Sequence, residues 1–217
     1  MISNVVFDFD GTIADSKSAI ISVYNQVAEK HRFKPLFEAD IPTLSKLSIP
    51  ERCHRMNVPI YKLPVLIVEV TRSFKNVVDS VSAFDGMRSV LETLHRHGLT
   101  IGIISSNSNE NIERFLARQG MESLVQRVHC SSNVFGKDKV ISRYLKTYGL
   151  TPEQVLYVGD EERDVVACKK TKLRVLSVSW GLESLDVLTR AGPDFIVHQP
   201  SDILQRVAEL NGLPHLA

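Results

Sequence analysis

Cysteine is scarce in this chain, and neither sign of charge is in excess. Three cysteines, Cys53, Cys130 and Cys168, are scattered through 217 residues with no CxxC pair. That spacing argues against a disulfide framework and for reduced thiols in a cytoplasmic setting. Lysine and arginine number 26 against 25 aspartates and glutamates, a net charge of +1. Such a balance gives no electrostatic case for nucleic acid or for an anionic membrane surface as partner. No apolar run approaches the roughly 20 residues of a membrane-spanning helix. No signal peptide is expected, because a strand of catalytic character starts within ten residues of Met1. Internal repeats and low-complexity tracts are absent, and no glycine occurs between Gly11 and Gly86. What remains is ordinary for a globular protein: 43% hydrophobic and 24% charged residues, enough for one large domain or a core with a small module.

Against this background one stretch stands out: Val5-Val6-Phe7-Asp8-Phe9-Asp10-Gly11-Thr12. Its apolar start reads as a strand buried on both faces, as in a parallel sheet. Residues two apart on a strand point the same way, so Asp8 and Asp10 can address one point in space. Gly11 lets the backbone turn sharply and approach a ligand. Two carboxylates desolvated together are costly unless a cation lies between them, and a hard divalent ion is the natural partner.

The second half repeats the pattern. Val155-Leu156-Tyr157-Val158 is another buried-strand run, ending in Gly159-Asp160-Glu161-Glu162-Arg163-Asp164. A helix starting near Glu161 would keep Asp164 close to Asp160. Acidic residues also favour the first turn of a helix for its dipole alone, which accounts for Glu161 and Glu162. Between the two acidic sites, a strand over 99–104 runs into Ser105-Ser106-Asn107-Ser108, which offers either a helix cap or a hydroxyl and free N–H groups for an oxyanion. Phe135-Gly136-Lys137-Asp138-Lys139 follows a further strand over 125–128. Lys137 is favoured over Lys139 because it stands at the loop end, ahead of a helix over 139–148.

These four motifs, in this order, resemble those of the haloacid dehalogenase superfamily, in particular its phosphoglycolate phosphatase-like group. The resemblance implies an α/β fold: a doubly wound parallel sheet with a small α-helical cap. It implies Asp8 as nucleophile, forming an aspartyl-phosphate, and Asp10 as acid and then base, with Lys137 in the catalytic set. Asp10 must then be protonated when substrate arrives, so a raised pKa beside other carboxylates is expected. Gly11, Thr12, Ser105, Ser106 and Lys137 would bind the substrate phosphate. Mg²⁺ would be held by Asp8, the Asp10 backbone carbonyl and Asp160, with Asp164 supporting directly or through water. The dehalogenases resemble this chain at the nucleophile but lack the second aspartate, so Asp10 favours phosphate chemistry. The expected partner is a small phosphorylated metabolite, with no nucleic acid and no membrane; the oligomeric state stays open.

Strand and helix patterns alternate over residues 1–15 and 84–217, read as the core, with helices over 87–97, 109–119, 162–170 and 203–210 and strands over 174–178 and 195–197. Residues 16–83 break that alternation and read as the helical cap, with helices over 19–29 and 65–78. Relatives often carry a glycine in a substrate loop here, where this chain has Ile41-Pro42-Thr43-Leu44-Ser45-Lys46-Leu47-Ser48. Lys46, Arg52, His54 and Arg55 could meet an anionic substrate but read rather as solvated helix surface, and His95 and His129 as structural. Trp180-Gly181 ends a strand next to the site, where a lone Trp most often packs or caps a core edge. The expected function is a Mg²⁺-dependent phosphatase; a phosphomutase, an inorganic pyrophosphatase and a non-catalytic binding module are the alternatives.

Overall fold

Each apolar run singled out above becomes a strand, and the six strands among the described residues are all parallel. The structure, a computed structural model, describes residues 1–131 and 136–216, so Phe135 of the lysine motif lies outside the described residues. Strand β1 (Asn4–Phe7) leads into four helices: α1 (Lys17–His31), α2 (Ile41–Leu44), α3 (Ile49–Arg55) and α4 (Leu63–Phe74). Helix α5 (Met87–Arg96) returns the chain to the sheet, and alternation begins: β2 (Thr100–Ser105), α6 (Asn109–Gln119), β3 (Arg127–Cys130), α7 (Lys137–Tyr148), β4 (Val155–Gly159) and α8 (Glu162–Thr171). It closes with β5 (Arg174–Val178), α9 (Leu185–Ala191), β6 (Phe195–Val197) and α10 (Ser201–Leu210).

The strand order is β3-β2-β1-β4-β5-β6. The chain winds outward from β1 to β3, then returns to place β4 on the other side of β1. The β1–β4 pair is therefore the topological switch point, where open α/β sheets bind ligands at the carboxyl ends of their strands. Its register pairs Phe7 with Val158, which brings the aspartates after each strand to the same edge.

Alternation along the strands divides the core in two. Val5, Phe7, Ile101, Ile103, Leu156 and Val158 pack on one face with α5, α6 and α10. Val6, Ile104, Val155 and Tyr157 pack on the other with α7 and α8. The helices between β1 and α5 carry a third apolar cluster of their own, with Val27, Leu44, Cys53, Met56, Val58 and Leu66. Two sets of contacts fasten them to the rest. Asn111 donates to Thr71 O at 3.1 Å and Arg114 pairs with Asp79 on one side; Arg52 pairs with Glu183 on the other.

Element ends differ from the sequence reading in three instructive places. Helix α7 starts at Lys137, two residues before the expected 139, so Lys137 belongs to the helix and not to the loop. Helix α4 stops at Phe74, and a short 3₁₀ turn at Val78–Ser80 takes the chain back toward the sheet. Strand β3 runs over Arg127–Cys130, later than the expected 125–128.

Helix α5 illustrates what holds the layers together: Leu91 and Leu94 are fully enclosed against the sheet. Leu91→Ala should lower the urea midpoint by an amount equivalent to about 2–5 kcal/mol, with an unchanged denaturant slope.

Candidate active site

Asp8 follows β1 directly, and its N–H donates to Val158 O at 2.8 Å, locking it beside β4. Its side chain is almost wholly enclosed. Oδ1 accepts the Phe9 N–H at 2.7 Å, while Oδ2 meets Lys137 Nζ at 2.6 Å. Lys137 is the first residue of α7, and that first turn aims its ammonium inward at both Asp8 and Asp164. Burial alone would lower its pKa, but Asp164 and Asp8 outweigh that and hold it above the usual lysine range. Lys139 is exposed and takes no part.

Asp160, at the end of β4, is fully enclosed. Its Oδ1 accepts from Thr12 Oγ1 at 2.8 Å and its Oδ2 from the Leu182 N–H at 2.7 Å. Two glycines make room for it: a Cβ at Gly11 (φ +78°) or at Gly181 would collide with the Asp160 side chain. Asp164, in the first turn of α8, accepts the Glu161 N–H at 3.1 Å. One carboxylate oxygen from each of Asp8, Asp160 and Asp164 lies within 4.8 Å of the others, and all three residues are buried. Asp160 has no cationic side chain at ion-pair distance among the described residues. Burial, then Glu161, Asp8 and Asp164, push its carboxyl well above the ordinary range. Burial also raises Asp164 to about 6, against the pull of Lys137. A cluster of hard oxygen donors with too little positive charge fits a divalent cation.

Asp10 sits at the edge of this cluster. Asn107 Nδ2 donates to its Oδ2 at 3.0 Å, whereas its Oδ1 has no hydrogen-bond partner among the described residues. Its carboxyl is raised to about 6, as expected, but for a different main reason. Desolvation dominates and the charge of Asp8 adds little, while the nearby Ser16 hydroxyl and the Asn107 amide draw it partway back.

Ser105 ends β2, and its Oγ accepts the Asn107 N–H at 3.0 Å. Ser105, Ser106, Lys137 and Arg163 line a narrow slot. Gly11 and Thr12 differ from their expected place as phosphate ligands. The Gly11 N–H donates to Ala14 O at 2.9 Å and the Thr12 hydroxyl is committed to Asp160, so both groups are spent shaping the loop. Trp180 packs against the core beside Phe84, and its Nε1 donates to Thr12 O at 3.3 Å.

Three residues escaped the sequence reading. Asn107 looked like a helix cap, yet Ser108 is the cap, accepting the Asn111 N–H, and Asn107 is left to hold Asp10. Arg163 was hidden within an acidic helix start. Arg52 is not solvated surface: it donates to Ser45 O at 3.0 Å and to Leu47 O at 2.8 Å, and it reaches Glu183 at 2.9 Å. Glu183 in turn accepts the Glu162 N–H at the start of α8 at 2.6 Å. Lys46, His54 and Arg55 are exposed as expected. His129 bonds Tyr148 Oη at 3.0 Å and His95 bonds Gln126, both away from the site.

Comparison with known proteins gives a consistent picture. The family model described as haloacid dehalogenase-like hydrolase matches residues 5–178. A phosphoglycolate phosphatase of Synechococcus elongatus is 34% identical over 206 residues, covering 95% of this chain and 97% of its own. Pyrophosphatase PpaX of Listeria innocua is 24% identical over 212 residues, covering 96% of this chain and 97% of its own. Among solved structures, a haloacid dehalogenase-like hydrolase of Streptococcus pneumoniae aligns with a TM-score of 0.80 at 20% identity, over 95% of this chain and 98% of that one.

The raised carboxyls make metal-free stability depend on pH. A buried carboxyl raised from 3.8 to about 6 favours the folded state below its unfolded value, and that contribution is lost as pH rises through about 6. Metal-free protein should therefore melt at lower temperature at pH 7.5 than at pH 5, and Mg²⁺ should reverse the loss. Asp160→Asn, which removes an uncompensated buried charge, should stabilise metal-free protein at pH 7.5 by on the order of 1–3 kcal/mol. It should also abolish the Mg²⁺-dependent rise; a rise that survives would remove Asp160 from the cation site.

Proposed function

The chain belongs to the haloacid dehalogenase-like hydrolase family, and on that premise we propose that it is a Mg²⁺-dependent phosphatase of small phosphorylated acids, working through an aspartyl-phosphate on Asp8. The placing of Asp10 carries this reading: a second, sparsely bonded carboxyl held by Asn107 beside the enclosed Asp8. A halide leaving group needs no such acid, and an alkoxide does.

The geometry supports the following roles. An Asp8 carboxylate oxygen attacks phosphorus, the ester P–O bond breaks, and the leaving oxygen takes its proton from Asp10. Asp10, now a carboxylate, then accepts a proton from water. The water oxygen attacks phosphorus, the Asp8–phosphorus bond breaks, and inorganic phosphate leaves with Asp8 restored. Ser105, the Ser106 backbone and Lys137 steady the phosphoryl oxygens in the slot they line. Gly11 and Thr12 shape the loop and hold Asp160 in place. Asp8, Asp160 and Asp164, with the Asp10 carbonyl, are the groups for Mg²⁺. When bound, the ion offsets the repulsion between an anionic nucleophile and an anionic substrate.

The same reading treats residues 1–15 and 84–217 as a core domain and 16–83 as a cap. The cap helices, with their own apolar cluster, would open for substrate and close to keep stray nucleophiles from the phosphoenzyme. The substrate class takes its cue from the Synechococcus relative, and the Listeria relative makes pyrophosphate the rival to include in any panel.

Phosphate release from 2-phosphoglycolate, other phosphomonoesters and pyrophosphate, with Mg²⁺ and with EDTA, tests the proposal. Turnover should require metal and vanish in Asp8→Asn. Asp10→Asn should slow alkyl esters by roughly 10²–10⁴-fold and 4-nitrophenyl phosphate, whose leaving group needs little protonation, far less. Equal losses on both would deny Asp10 the role of acid. Because Asp10 must be protonated, kcat/KM for alkyl esters should fall as pH rises above about 6. Asn107→Ala removes a bond that favours the charged form, so that limb should move to higher pH.

A further inference from the structure

Arg163 has more hydrogen-bond donors than partners. Its Nε is paired with Glu161, and its Nη2 lies 4.0 Å from Asp8 Oδ2, too far for a hydrogen bond. Neither terminal nitrogen donates to any acceptor among the described residues, although the side chain is only 25% exposed. A guanidinium presents five N–H groups in a planar fork, so the N–H groups of both terminal nitrogens remain for a ligand.

Its position says where that ligand lies. Arg163 lines the narrow slot with Ser105, Ser106 and Lys137. It also lines two larger cavities, of about 270 and 330 Å³, both walled on the insert side by Ile49. Lys137 reaches one of these and Arg52 the other; Arg163 is the residue common to all three. Arg163 Nη2 lies 4.0 Å from Asp8 Oδ2, so a substrate whose phosphoryl group sits at Asp8 has its remaining atoms within reach of this junction.

We propose, building on the phosphatase reading, that Arg163 sets specificity: its terminal N–H fork receives the carboxylate of a short phosphorylated acid held at Asp8. Lys137 and the serines already serve the phosphoryl oxygens. The fork, with one nitrogen 4.0 Å from Asp8 Oδ2 and two cavities beside it, is free to take a second anion, and its geometry matches a carboxylate in bidentate fashion. Glu161 on Nε keeps the guanidinium plane aimed while leaving that fork open. Short acids would reach it, and esters of neutral alcohols would gain nothing from it.

Binding, free of turnover, separates this from the reading beneath it. 3-Phosphonopropionate carries phosphonate and carboxylate with a methylene for the ester oxygen; propylphosphonate lacks only the carboxylate. Calorimetry on the whole chain with Mg²⁺ should show the first binding roughly tenfold or more tighter than the second. In Arg163→Gln the two should come within about threefold, and Arg163→Lys, which keeps the charge but not the fork, should fall between. A preference that survives in Arg163→Gln, or an equal loss on both ligands, overturns the proposal. The second result would place Arg163 on the phosphoryl group. If Arg163→Gln does not melt cooperatively, Arg163→Lys decides: an undiminished preference there also overturns it. Wild-type protein that discriminates yet releases no phosphate from 2-phosphoglycolate would sink the phosphatase reading and keep this one. Turnover without discrimination would do the reverse.

Discussion

Negative charge gathered out of water is the constraint on which this structure turns. Asp8, Asp10, Asp160 and Asp164 meet at one edge of the sheet, and the positive groups beside them are Lys137 and the partly exposed Arg163. Burying even a single unpaired carboxylate is expensive, and the cost here is met by several local devices. Lys137 is drawn inward from a helix N-terminus, where an ammonium gains nothing from the helix dipole, because two aspartates reward it. Among the described residues Asp160 receives two hydrogen bonds but no cationic side chain, and two glycines leave space for its carboxylate. The remainder is a charge imbalance that a divalent cation would offset.

The sheet topology explains why the charge can be concentrated at all. Parallel strands align their carboxyl ends, and the β1–β4 switch point places two such ends side by side with no crossover covering them. The helical insert then meets that edge from above. Its link through Arg52 to Glu183 is partly buried, and Glu183 also caps the helix that carries Arg163 and Asp164. One carboxylate thus connects the insert, the α8 N-terminus and the loop after β5. A movement of the insert would be felt at the first turn of α8, which carries Arg163 and Asp164.

Legibility from sequence followed the range of the interaction. The strands, the helix over 109–119 and the acidic motifs could be read because periodicity and neighbours within a few residues define them. Asp8, Asp10, Asp160, Asp164, Ser105 and Lys137 were named from their local settings, and they do converge. What escaped depended on partners far along the chain. Thr12 looked like a phosphate ligand until Asp160, 148 residues away, took its hydroxyl. Asn107 looked like a cap until Asp10 claimed its amide, and Arg52 looked solvated until Glu183 reached it from 131 residues away. The raised carboxyl of Asp10 was anticipated from neighbouring charge, whereas burial, which no sequence displays, is its chief cause.

The sequence by itself determined the alternation of buried strands and amphipathic helices, the presence of a helical insert and the kinds of group at each strand end. These are fixed by side-chain pattern over a turn or a strand, the scale on which hydrophobic burial selects local structure. Only the tertiary structure decided which donors stay free and which are spent. It assigned Thr12 and Gly11 to the loop, Asn107 to Asp10 and Arg52 to Glu183, and it left the Arg163 fork open. The physical reason is that a hydrogen bond is directional and short. Its partner is settled by the packing of whole layers, which no local stretch of sequence encodes.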